Sequence, residues 1–208
     1  MIERPSRLQR IFVPGALWRM PSEGVGNKCV WLTFDDGPVP EVTPFVLSLL
    51  AERGIKATFF MVGDNVRRNP GLFDRIRAEG HSWGNHTMHH LKGLGCSTPD
   101  YLADVAEAHA LIGSPLFRPP HGLLRRSQAH ALAMTHRMVM YDLVTRDYSR
   151  RLTSAHVVAN VRRYARPGSI IVFHDSVKAF PRLREALPAS IDWLISQGYE
   201  FRTIPMQL

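Results

Sequence analysis

Short runs of β-forming residues alternate with helix-patterned stretches along most of the chain, and this alternation constrains the fold more than any other feature. The runs are CVWLTF (29–34), ATFFMV (57–62), HSWGN (81–85), PLFRP (115–119), RMVMYD (137–142), SIIVFH (169–174) and YEFRTI (199–204). Between them, 42–52, 72–78, 101–112, 127–134, 154–164 and 183–197 carry helical spacing or helical composition. Turn and cap signals mark the boundaries: Asn69-Pro70-Gly71, Ser97 through Asp100, Arg166-Pro167-Gly168 and Gln197-Gly198. Strand, helix, strand, repeated, builds a mostly parallel sheet from βαβ units. Seven such strands with six intervening helices predict an α/β fold. The sheet either closes into a barrel or stays open and doubly wound. Both forms place ligand sites beyond the C-terminal ends of the strands.

The residues at those ends are chemically capable. Strand one ends in Asp35 and Asp36, and strand three runs into His86, Thr87, Met88, His89 and His90. Strand four carries Arg118, strand five is followed by Asp147, and strand six ends at His174-Asp175. Adjacent carboxylates after a buried strand are costly unless something neutralises them. Neighbouring side chains on extended backbone diverge, so one carboxylate can bind a cation while the other faces a reactant. An Asp with two His suits an open zinc site. One helical turn would put His86 and His90 on the same face, but His86 and His89 would also serve, so spacing leaves both pairs open. His81 falls within the expected strand and reads as a core histidine or one that supports a ligand. Taken singly, each signal has a plain structural reading: solvated turn acids, surface histidines, a helix cap at Asp147. Their joint placement after successive strands favours a functional site.

Composition narrows the partners. A 208-residue chain with 45% hydrophobic and 21% charged residues is that of one ordinary globular domain. The net charge of +8 comes with arginines scattered in pairs rather than gathered with aromatics, so no nucleic-acid partner is expected. No apolar run approaches the roughly 18 residues of a membrane span. The N-terminus is basic with a short apolar patch, but Pro14, Gly15 and Arg19 spoil its likeness to an export signal. Cys29 and Cys96 make no disulfide framework. A cytoplasmic protein with reduced thiols is therefore expected. Nothing in the chain sets an oligomeric state.

The segments TFDDGP, HTMHH, RPPHG, RDY and IIVFHD, in this order, resemble the five signature segments of the polysaccharide deacetylases. These are carbohydrate esterases of family 4, which share the homology domain of the nodulation chitooligosaccharide deacetylases. The resemblance runs from Trp31 to about Asp175. It implies a single-domain, distorted (β/α)7 barrel at 29–208, with 1–28 as an N-terminal extension packed on it. It also implies a divalent ion, zinc or alternatively cobalt or another metal, held by Asp36, His86 and His90. The second signature thus selects His90 over His89. Asp35 matches the general base and Arg118 the residue that pairs with it. His174 matches the general acid, and Asp147 the carboxylate that holds it. The His121 backbone matches a donor to the oxyanion. The implied activity is removal of acetyl groups from N-acetylated or O-acetylated sugars or glycans, such as chitooligosaccharide or peptidoglycan. Three positions depart from the usual pattern: Leu91, His121 in place of tyrosine or phenylalanine, and Tyr148 in place of tryptophan. The last two would reshape the wall facing the substrate. Alternative readings are the same site acting on a small non-sugar amide, or a non-catalytic zinc- or glycan-binding protein. The latter would be marked by loss of Asp35 or His174, and both are present.

Overall fold

The computed structural model describes residues 3–6, 10–11, 13–21 and 28–206. Its centre is β1 (Lys28–Asp35), a strand buried along seven of its eight residues. Period-2 alternation sends Val30, Leu32 and Phe34 to one face, where they join the main apolar core. That core includes residues from α1 (Thr43–Glu52) and from α7 (Phe180–Ser196). Phe34 stacks between Phe59 and Phe173, at 5.1 and 6.2 Å. Trp31, Thr33 and Asp35 face the inside of the curl. Trp31 packs there with Phe60, Leu116 and Ile170. A strand buried on both faces needs cover on both, which parallel α/β sheets supply.

Around β1 the remaining strands are β2 (Thr58–Met61), β3 (Ser82–Asn85), β4 (Leu116–Phe117), β5 (Arg137–Met138), β6 (Leu143–Val144) and β7 (Ile170–His174). Their order is β5-β4-β3-β2-β1-β7-β6, with every pairing parallel. This is the expected distorted seven-stranded barrel, curled and open between β5 and β6. The remaining helices are α2 (Gly63–Arg68), α3 (Pro70–Ala78), α4 (Thr98–Ile112), α5 (Arg126–Leu132) and α6 (Ser154–Tyr164).

Two strand expectations are corrected. The run at 137–142 is not one strand. Only Arg137 and Met138 form β5, and β6 begins just past the run at Leu143, on the opposite edge of the sheet. The run at 199–204 gives β8 (Tyr199–Phe201), which pairs with Lys28–Val30 and lies off the seven-strand path. The crossing from β5 to β6 is held by groups remote in sequence. Leu17 bridges Val139, with its N–H on the Met138 carbonyl and its carbonyl accepting from Met140. The Arg118 guanidinium caps the carbonyls of Val139 and Met140.

His81 lies just before β3 and is buried. The Ala57 N–H donates to its Nδ1 (3.1 Å), and its ring meets Phe59 edge-on, so its role is in the core. Burial pushes its pKa down to about 4. No described helix is long and apolar enough to cross a membrane. Cys29 and Cys96 are free thiols.

Candidate active site

The site grows from the last residues of β1. Asp35 is inward by the strand's alternation. Asp36 leaves the strand with φ 85°, a region that L-residues seldom adopt, and this turns its side chain away from that of Asp35. The Asn65 amide donates to the Asp36 carbonyl (2.7 Å) and helps fix the turn.

Asp36 Oδ1 lies 3.2 Å from His90 Nε2 and 3.8 Å from His86 Nε2. His86 follows β3 directly, and its Nδ1 is 2.7 Å from the Arg118 carbonyl. A carbonyl only accepts, so Nδ1 carries the proton and Nε2 presents a lone pair to Asp36 and His90. Burial, the largest influence, pushes the His86 pKa down to about 4, which keeps the imidazole neutral. Burial works against the charge on Asp36, but His90, His174 and His86 outweigh it and hold the carboxyl far below the usual carboxylate range.

No helical turn forms at 86–90, so helical spacing is not what brings His86 and His90 together. Thr87 and His90 have φ of 68° and 55°, and the segment is a loop. Two partners that sequence reasoning missed shape it. Asn85 Oδ1 accepts from the Thr87 N–H (2.8 Å). Asp104, on α4, accepts from the N–H of Met88 and of His89 and bonds the His89 ring at 2.5 Å. His89 is thereby drawn to α4 and away from the cluster. The ligand atoms of Asp36, His86 and His90 lie within 4.8 Å of one another, and these residues form the one such cluster among the described residues. A neutral imidazole with its far nitrogen tied, a second imidazole and an ionised carboxylate form a donor set that fits a divalent cation.

Arg118 is almost fully buried. Its Nη1 donates to Asp35 Oδ1 (2.6 Å) and Thr33 Oγ1 (2.7 Å). With Nε on the Val139 carbonyl, Nη2 on that of Met140 and the Phe60 ring 4.0 Å away, the guanidinium is held on every side. Opposite it stands His174 at the tip of β7. Both Asp147 oxygens are engaged there, one by the His174 backbone N–H (2.7 Å) and one by Nδ1 (2.8 Å). Burial disfavours the imidazolium, but Asp147, aided by Asp36 and Asp35, wins and raises the pKa to about 9. The Tyr148 ring meets His174 edge-on at 4.8 Å, and the His121 ring meets His90 at 4.9 Å. His121 has φ 61° in a tight turn.

Asp35, Asp36, His86, His90, Arg118, His121, Tyr148 and His174 all line one cavity of about 510 Å³. Asp147, the remaining residue expected from sequence, is fully buried against His174. A guanidinium-bound carboxylate, an Asp-His-His cluster whose donors fit a cation and a carboxylate-bound imidazole thus face one space of a size that suits a small ligand.

A family model described as Polysaccharide deacetylase matches residues 22–139. The chain is 34% identical over 199 residues to a peptidoglycan-N-acetylglucosamine deacetylase of Bacillus cereus, with 90% of each chain covered. It is 38% identical over 208 residues to a chitooligosaccharide deacetylase of Sinorhizobium fredii, covering 89% of this chain and 94% of that one. Among solved structures, one of a peptidoglycan N-acetylglucosamine deacetylase in complex with 4-naphthalen-1-yl-N-oxidanyl-benzamide superposes with a TM-score of 0.87 at 26% identity. It covers 97% of this chain and 96% of that one.

Proposed function

Because the chain belongs to the polysaccharide deacetylase family, we propose that it is a metal-dependent hydrolase of acetylated glycans. The bond cleaved is the amide of an N-acetylated sugar, with chitooligosaccharide and peptidoglycan as the substrates its relatives' names suggest. The observation that carries this reading is the convergence of the Asp36–His86–His90 cluster, the Arg118-bound Asp35 and the Asp147-bound His174 on one cavity. The same proposal takes 29–208 as the catalytic unit and the described part of 1–28 as an extension packed on it, the rest of 1–28 lying outside the described residues.

Asp36, His86 and His90 would hold the ion, and zinc suits their chemistry. A divalent ion held there would supply Lewis acidity toward the acyl oxygen and lower the pKa of water. Arg118 occupies Asp35 Oδ1, which leaves Oδ2 to take a proton from water as that water attacks the acetyl carbon. The loop at His121 offers its backbone N–H toward the oxyanion. Asp147 holds His174 through Nδ1, so Nε2 is the atom that donates a proton to the departing sugar amine. Tyr148 and His121 form the walls against which the sugar packs.

The test is acetate release across N-acetylated chitooligosaccharides and peptidoglycan, with His174→Ala as control. Release from at least one of these, abolished by the substitution, is expected. No release from either would refute the reading.

A further inference from the structure

Asp175 takes no part in the chemistry above, yet it is fully buried and directly follows His174. Its backbone N–H donates to the Asp35 carbonyl (3.1 Å). Its carboxyl group reaches the next turn of chain. Oδ1 accepts from the Gly37 N–H (3.1 Å), and Oδ2 pairs with the Thr43 hydroxyl (2.7 Å). That hydroxyl accepts in turn from the Val39 N–H (2.8 Å). A β-carbon at residue 37 would lie 2.0 Å from the carboxylate, so the contact requires glycine there. Asp36 precedes this glycine with its positive φ, a backbone state that persists where surrounding bonds over-determine it.

We propose that Asp175 is a positioning residue whose carboxyl group clips the 36–39 turn to the tip of β7. It acts through Gly37 and Thr43 and does not line the cavity. The clip sets the Asp36 carboxylate against His86 and His90. Through the Asp35 carbonyl it also fixes β1, with the base, against β7, with the acid. The inference rests on the reading of Asp36 as a metal ligand. Residues that orient a ligand from behind typically control affinity 10–100-fold.

The experiment is calorimetric titration of zinc into chelator-stripped protein, with melting temperature and steady-state kinetics measured alongside. Asp175→Ala is expected to weaken zinc binding about 10–100-fold and to lower kcat with KM little changed. Asp175→Asn can accept from Gly37 and donate to Thr43, so it should recover most of that loss. Thr43→Val removes one arm of the clip and should weaken zinc binding several-fold while the fold is retained. If the native protein binds no zinc, the metal reading itself fails. If the native protein binds zinc and Asp175→Ala binds it equally well, the clip alone is refuted. Equal damage in Asp175→Asn and Asp175→Ala also refutes it, because charge rather than hydrogen-bond geometry would then be at work. Should Asp175→Ala not fold, native affinity in Thr43→Val refutes the clip.

Discussion

One peptide bond separates Asp35 from Asp36, and their surroundings could hardly differ more. Asp35 is buried against a guanidinium, while Asp36 sits among imidazoles. Their amide variants should therefore fail differently. Asp36→Asn swaps an anionic donor for a weaker neutral one, so metal content should drop and excess zinc should partly restore the rate. Asp35→Asn should keep its metal while turnover falls by about 10²–10⁴-fold, with no rescue by added zinc. Equal metal loss in both would contradict the division of labour. His90→Ala should lose metal and His89→Ala should not, because Asp104 already holds the His89 ring. Elemental analysis of the two proteins decides this. As the proposed acid, His174 should set the pH response. Its pKa is raised from 6.5 to about 9, so the protonated acid disappears, and the rate falls, as pH climbs through about 9. The stability from the His174–Asp147 pair has the same sign: fully present below about 6.5, lost as pH rises through about 9. Asp147→Asn should move the alkaline limb of the rate profile to lower pH, and an unmoved limb would mean that His174 is not the acid. The side chains that converge here were legible in the sequence because each follows a strand. Asn85 and Asp104 were not, and Asp175 was seen only by its place after a strand, because all three bond backbone N–H groups of the chain and no spacing rule records such bonds.

Elements were legible where burial and period agree. β1, β7 and the helices α1, α4, α6 and α7 fall within a few residues of the patterned runs. α2 escaped notice because its six residues, GDNVRR, bury only Gly63 and Val66 and show no apolar stripe. The 137–142 run misled for another reason. Its residues Met138 to Tyr141 read as one apolar run, and nothing local marks the point where the chain leaves one edge of the sheet for the other. That point is set by Leu17 and Arg118, far off in sequence. The loop at 86–90 follows the same rule, since Asp104 overrides the helical spacing. The segment whose Leu17 bridges Val139, beside the opening, is anchored by Trp18. Its ring is buried beside Tyr101, Phe117 and Met138 and meets Tyr141 edge-on at 5.9 Å. Trp18→Ala should cost about 3 kcal/mol, read as a lower urea midpoint at unchanged slope. A midpoint within error of the native one would mean that this segment does not brace the opening.

At the scale of the whole molecule, parallel strands explain how residues from Asp35 to His174 meet. Strands β1, β3, β4 and β7 all point the same way, so the residues that end or follow them gather at one rim. The sheet's order places β1 beside β7, which brings the proposed base and acid to neighbouring tips, with Asp35 in register with His174. β3 and β4 sit on the other flank, and from there His86, His90 and Arg118 reach across. The barrel thus sets the Asp35 carboxylate and the His174 imidazole beside the Asp36–His86–His90 cluster, the arrangement that the proposed amide hydrolysis needs. Acetate release by chelator-stripped protein, followed as zinc is added back one equivalent at a time on an acetylated chitooligosaccharide or on peptidoglycan, tests that claim most directly. The expected result is negligible release without metal and a rate that rises to a plateau at one zinc per chain. Full release from metal-free protein, or none at any zinc concentration on either substrate, would contradict it.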